Sequence, residues 1–140
     1  MFIKLLECSD NLEEYLDVVS ELNSGRSNIC SVEQISEALG IRPSNVLTFV
    51  GIDNNKIVST ATIIMEKKLR YQRLCCHIED VAVSKNSRGK GYGKIIVNYC
   101  VDVAKSNNCY KIKLNCNKNL VGFYESFGFK TDSSGMVLES

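Results

Sequence analysis

The segment Val81-Ala82-Val83-Ser84-Lys85-Asn86-Ser87-Arg88-Gly89-Lys90-Gly91-Tyr92-Gly93-Lys94 constrains this chain more than any other. It reads as a β-branched strand end, a turn with glycine at every second position, and the start of a helix. Gly89, Gly91 and Gly93 carry no Cβ, so several backbone N–H groups can approach an anion closely, and the helix N-terminus adds partial positive charge. Arg88, Lys90 and Lys94 add formal charge on the same side. A concave turn of this kind suits a diphosphate.

The flanking sequence predicts which elements the turn joins. Phe2 to Glu7 is short and apolar enough for a strand, and Asp10 with Glu13 three residues on marks a helix start. That helix runs to about Leu22, where Asn23, Ser24 and Gly25 break it. Ser31 followed by Gln34 is a second capping box, with Gly40 placed to end the helix and Pro43 beyond it. Val46 to Ile52 and Lys56 to Glu66 are rich in β-branched residues and are joined by Asp53, Asn54 and Asn55, which predicts an antiparallel hairpin. A charged connection, Glu66 to Arg73, leads to a third strand, Leu74 to Val83.

Beyond the glycines, Tyr92, Ile95, Ile96, Tyr99, Cys100 and Val103 recur at helical spacing as far as Asn107 and Asn108. A strand over Tyr110 to Cys116, a short helix over Val121 to Phe127 closed by Gly128, and terminal strand residues complete the chain. Strand, helix, strand in that order predicts a parallel pair joined by a right-handed crossover. The expected fold class is therefore α/β (α+β) with a mixed sheet.

With 140 residues, the chain is expected to form one domain over residues 1–140. Lys and Arg total 17 against 16 for Asp and Glu, a formal net charge of +1, which gives no broad footprint for nucleic acid. The longest apolar stretch, Ile57 to Met65, is interrupted by Ser59, Thr60 and Thr62 and is too short for a membrane span. No targeting segment is visible, so a cytoplasmic location is the expectation. Seven cysteines with no C-x-x-C spacing and a single histidine, His77, make no zinc set and predict reduced, mostly structural thiols. No metal is expected.

Two phosphate motifs fail on this turn. A Walker A loop needs Ser or Thr after Gly-Lys, and Ile95 follows Gly93-Lys94. A dinucleotide fingerprint needs G-x-G-x-x-G and an acidic residue after the next strand, where Asn115-Cys116-Asn117 stand instead. What remains is Arg-x-x-Gly-x-Gly over Arg88 to Gly93, which resembles the acetyl-CoA loop of the Gcn5-related N-acetyltransferase (GNAT) superfamily. Three further blocks narrow the resemblance to eukaryotic-type glucosamine 6-phosphate N-acetyltransferases. They are Cys76-His77-Ile78-Glu79-Asp80-Val81-Ala82-Val83, Asn108-Cys109-Tyr110-Lys111-Ile112, and Val121-Gly122-Phe123-Tyr124-Glu125-Ser126-Phe127-Gly128-Phe129.

The resemblance implies a GNAT fold: a mostly antiparallel sheet whose parallel strand pair splays around acetyl-CoA, flanked by about four helices. It implies acetyl transfer to the amine of D-glucosamine 6-phosphate in a ternary complex, feeding UDP-N-acetylglucosamine synthesis, and a homodimer. Cofactor contacts carry over to Val81, Ala82, Val83, Arg88, Gly89, Lys90, Gly91, Tyr92, Gly93, Lys94, Asn119, Phe123 and Tyr124. Tyr124 aligns with the tyrosine that stabilises the departing thiolate, and Glu79 and Asp80 with an acidic pair beside the amine.

Asn115 stands where the family commonly has an acidic residue, and an amide cannot act as a base, so its expected role is to orient the amine. Leu120 replaces an asparagine that contacts the cofactor, leaving Asn119 one residue early. Arg26, Lys67, Lys68 and Lys118 are the cations available to a sugar phosphate. Acetylation of another primary amine (a polyamine, an aminoglycoside or a peptide) and a weakly active CoA-binding regulatory module are the rival readings.

Overall fold

The computed structural model describes residues 1–23 and 25–140; the expected break at Ser24 lies outside the described residues. Five strands form one sheet in the order β1-β2-β3-β4-β5. They are β1 (Phe2–Leu5), β2 (Val46–Asp53), β3 (Lys56–Lys68), β4 (Arg73–Val83) and β5 (Lys111–Lys113). The β1–β2, β2–β3 and β3–β4 pairings run antiparallel, and β4–β5 is parallel. The helices are α1 (Leu12–Val19), α2 (Val32–Gly40), α3 (Tyr92–Ser106) and α4 (Val121–Glu125).

Local chemistry accounts for the element ends. The hairpin turn narrows to Asn54 and Asn55, at φ 49° and 61°, and two consecutive left-handed residues match the twist of the flanking strands. Ser31 and Gln34 form the reciprocal capping box that opens α2. At α1 the cap is Asn11, whose side chain accepts from Glu14 N–H, not Asp10 as the sequence suggests. Asp10 is drawn the other way, accepting from Lys4 Nζ at 2.5 Å and from Glu7 N–H at 2.7 Å.

The alternation of side chains along each strand sends one set to each face. On one face Val50 and Ala82 pack with Leu12, Tyr15 and Leu16 of α1. On the other, Phe49, Ala61, Ile63 and Ile78 pack with Ile96, Cys100 and Ala104 of α3. Two expectations are corrected at the C-terminal end. The last strand is paired only over Lys111–Lys113, not to Cys116, because β4 leaves it after His77. No strand follows Gly128; Met136, Val137 and Leu138 are exposed and unpaired.

Candidate functional site

The departure of β4 from β5 has a local cause. Thr62 pairs with Glu79 and Thr60 with Ala82, so two residues of β3 span three of β4, and the extra residue makes a bulge. Asp80 takes it up at φ 51°, a left-handed conformation that Asp tolerates better than most residues. The strand bends, and β5, which lost its ladder partner, diverges. Between them lies a cavity of about 380 Å³ lined by His77, Ile78, Glu79, Asp80, Lys113, Leu114 and Asn115.

Glu79 and Asp80, which the sequence offers as one acidic pair, and Asn115, which it offers separately, therefore share one opening. Val81, Ala82 and Val83 continue β4 from the bulge to the glycine turn. There Gly89 and Gly91 adopt φ 80° and 79°, and a Cβ at either would meet nothing within 4 Å. Their backbone is needed for its conformation, and the space above it is open to a ligand. Gly93 differs: a Cβ there would touch Phe123 and Val83 at 3.6 Å, so it sets how closely α3 approaches α4 and the end of β4.

Two side chains of the turn are tied to distant segments. Tyr92, at the start of α3, donates its hydroxyl to Asp53 Oδ2 at 2.5 Å, linking the turn to the β2–β3 hairpin. That bond holds the Asp53 carboxyl below the usual carboxylate range and pushes the Tyr92 phenol up. Arg88 pairs with Glu21, in the 3-10 turn that extends α1, at 3.2 Å. Sequence reading missed both partners, since they lie 39 and 67 residues away along the chain and match no motif. Lys90 lies 5.9 Å from the Tyr92 ring centroid, and Lys94 is in the first turn of α3.

Tyr124 is buried on α4 within an aromatic group, 5.0 Å from the Phe123 ring centroid and 6.1 Å from that of Phe129. Burial raises its phenol above the ordinary value, with Cys116 and Cys100 adding to the effect, so it is a neutral donor. Asn119 stands in the exposed 3-10 turn before α4, beside Lys118.

The other proposed sugar-phosphate cations are not brought to the cavity. Arg26 is held by Asp17 at 2.8 Å and Glu13 at 3.2 Å, and Lys68 by Glu66 at 2.5 Å. Lys67 is exposed near the far end of β3, and Lys118 is exposed.

The model of the acetyltransferase (GNAT) family matches residues 12–129. A glucosamine 6-phosphate N-acetyltransferase of Trypanosoma brucei brucei is 30% identical over 140 residues, covering 98% of this chain and 94% of the relative. The Arabidopsis thaliana enzyme of the same name is 32% identical over 139 residues, covering 96% and 93%. The crystal structure of the Arabidopsis enzyme superposes with a TM-score of 0.86, covering 99% of this chain and 97% of that one. A Candida albicans glucosamine 6-phosphate N-acetyltransferase is 40% identical over 85 residues, 58% of this chain but 55% of that protein, so the match spans about half its length. Sheet, splayed strands, glycine turn and these likenesses agree, and the chain belongs to the GNAT family of acetyltransferases.

Proposed function

We propose that the protein transfers an acetyl group from acetyl-CoA to the amine of D-glucosamine 6-phosphate, giving N-acetylglucosamine 6-phosphate. The carrying observation is the bulge at Asp80, which opens the gap between β4 and β5 and gathers Glu79, Asp80 and Asn115 at it. The names of relatives matching nearly the whole chain supply the acceptor. The residues present fit the coenzyme. Gly89 and Gly91 present bare amides for its diphosphate beside Arg88, Lys90 and Lys94, while Val81 to Val83 offer a strand edge. Phe123 stands against Gly93 of the glycine turn, and Asn119 lies in the 3-10 turn that leads into its helix. Acetyl-CoA supplies an acyl group activated as a thioester.

The chain's own residues do the rest. Glu79 and Asp80 attract the acceptor's ammonium and take up its proton, leaving a neutral amine, and Asn115 orients that amine through its side-chain oxygen. A backbone N–H at the bulge, from Asp80 or Val81, donates to the oxygen that becomes negative as the new C–N bond forms, a contribution of about 2.7–4 kcal/mol per donor in measured cases. Tyr124 donates a hydrogen bond to the sulfur as the C–S bond breaks. Full proton transfer from a phenol near 10 to a thiolate whose acid lies near 8.5 is uphill by about 2 kcal/mol, and the raised Tyr124 value increases that cost, so the thiolate leaves hydrogen-bonded to Tyr124 and takes its proton through solvent, balancing the second N–H proton that nitrogen releases as the amide forms. By the same resemblance the protein is a homodimer supplying UDP-N-acetylglucosamine synthesis.

The test follows free thiol released from acetyl-CoA with glucosamine 6-phosphate, glucosamine, polyamines, aminoglycosides and peptides. Preference for the phosphorylated sugar is expected. A higher kcat/KM for another amine would replace the acceptor, and tight binding of CoA without release would remove the enzymatic reading.

A further inference from the structure

The glycine turn has little packing of its own to hold its shape. A Cβ at Gly89 or Gly91 would meet nothing within 4 Å, and both residues sit at positive φ. Gly91 stands at the start of α3 without a side-chain cap, so the first N–H groups of that helix depend on the turn for their aim. Glycine loses more conformational freedom on ordering than any other residue, and a loose turn would meet that loss at each binding event. Between Gly89 and Gly93, Tyr92 alone among the described residues carries a side-chain hydrogen bond to another element, and its partner is Asp53.

Asp53 is a firm anchor. It ends β2 in register with Lys56 across the hairpin, and Asn54 and Asn55 close the turn between them in left-handed conformations. The ladder thereby fixes the Asp53 backbone, and its carboxylate receives the Tyr92 hydroxyl at 2.5 Å. Both side chains are half-buried, and a hydrogen bond to a carboxylate is stronger than one between neutral groups. The Tyr92 bond is the largest cause of the lowered Asp53 value, and the Met1 ammonium, Lys90 and Asn54 N–H add to it, so the group stays ionised at neutral pH. Lys90 also lies over the Tyr92 ring, so one carboxylate acts on both side chains that flank Gly91. The turn's other tether works differently: Glu21 pairs with Arg88 and would compete with a phosphate for the same guanidinium. Asp53 takes up a neutral hydroxyl instead and holds the turn without drawing off that charge.

We propose that Asp53 is a positioning residue for the coenzyme's diphosphate, acting through Tyr92, whose ring it pins so that the bare amides of the turn keep the spacing that two phosphoryl groups need. This rests on the acetyl-CoA reading above. Titration calorimetry of the full chain with CoA tests it, together with kinetics on acetyl-CoA and on S-acetylpantetheine, a donor with the thioester but no diphosphate. In the wild type acetyl-CoA is preferred. Asp53→Ala weakens CoA binding and raises KM for acetyl-CoA by about 5- to 10-fold, the low end of coupling between separate groups. The kcat at saturating acetyl-CoA, the KM for glucosamine 6-phosphate and the kcat/KM for S-acetylpantetheine stay as they are.

Tyr92→Phe weakens CoA binding by the same factor, and the double variant is no worse than either single one, because both substitutions cut one link. Asp53→Asn keeps an oxygen acceptor at the site and recovers part of the loss. If Asp53→Ala does not fold, the asparagine variant carries the test through a weakened CoA affinity with S-acetylpantetheine turnover retained. Unchanged CoA affinity in folded Asp53 variants, or an equal loss with both donors, overturns the positioning role and leaves the diphosphate site standing. No preference for acetyl-CoA over the truncated donor in the wild type overturns both.

Discussion

Tyr124 shows how one residue combines structural and chemical duties. Its ring belongs to the aromatic group of α4, and its hydroxyl is the proposed donor to the leaving sulfur. Phenylalanine keeps the first and removes only the second. Tyr124→Phe is expected to lower kcat about 100-fold, the lower end of measured proton-donor effects, with little change in KM or melting temperature. Since burial raises the phenol above its ordinary 10.0, the donor form persists through that pH, and an alkaline fall in kcat below 10 must come from another group. Unchanged kcat in the variant would reduce Tyr124 to packing.

Among elements, the decisive relation is between the glycine turn and its two tethers. The Asp53–Tyr92 bond joins a hairpin tip to a helix start, and its pH dependence follows from the two shifts. Asp53 is held below its unfolded value, so its contribution is complete above about pH 4 and is lost as pH falls through the folded value. Tyr92 is held above its unfolded value, so its contribution is complete below about pH 10 and is lost as pH rises through the folded value. Tyr92→Phe should melt lower than the wild type between those limits, with the gap closing at both extremes. Melting curves across pH check this; a gap independent of pH would mean that the hydroxyl contributes packing alone.

The turn itself was legible in sequence because glycine spacing and flanking periodicity are local signals. The Asp53 and Glu21 tethers were not, because nothing local marks a pairing across 39 or 67 residues. The bulge was hidden for a related reason: Ile78 to Val83 reads as unbroken strand, and only the partner's register exposes the surplus residue.

At the scale of the molecule, a sheet buried on both faces explains the cysteine usage. Cys76 and Cys100 meet in the α3-side core, where burial pushes both thiols up to about 12, and Cys75 is also buried. Cys8, Cys30 and Cys116 are exposed. A thiol reagent should therefore modify those three rapidly in the native protein and reach Cys75, Cys76 and Cys100 only on unfolding, as mass spectrometry of timed samples would show. Rapid modification of the buried set would contradict this core. Cys75, Cys76 and Cys100 take the core positions that the sequence leads one to expect of its thiols, whereas the expected terminal strand does not form, because Val137 has no neighbouring strand to complete it.

The surplus residue at position 80 also resets parity. Glu79 and Ala82, three apart, face the same side, where an unbroken strand would oppose them. Deleting Asp80 would restore regular alternation and let the parallel strands zip together. Such a chain could keep both apolar layers and still have lost the slot in which a thioester meets an amine.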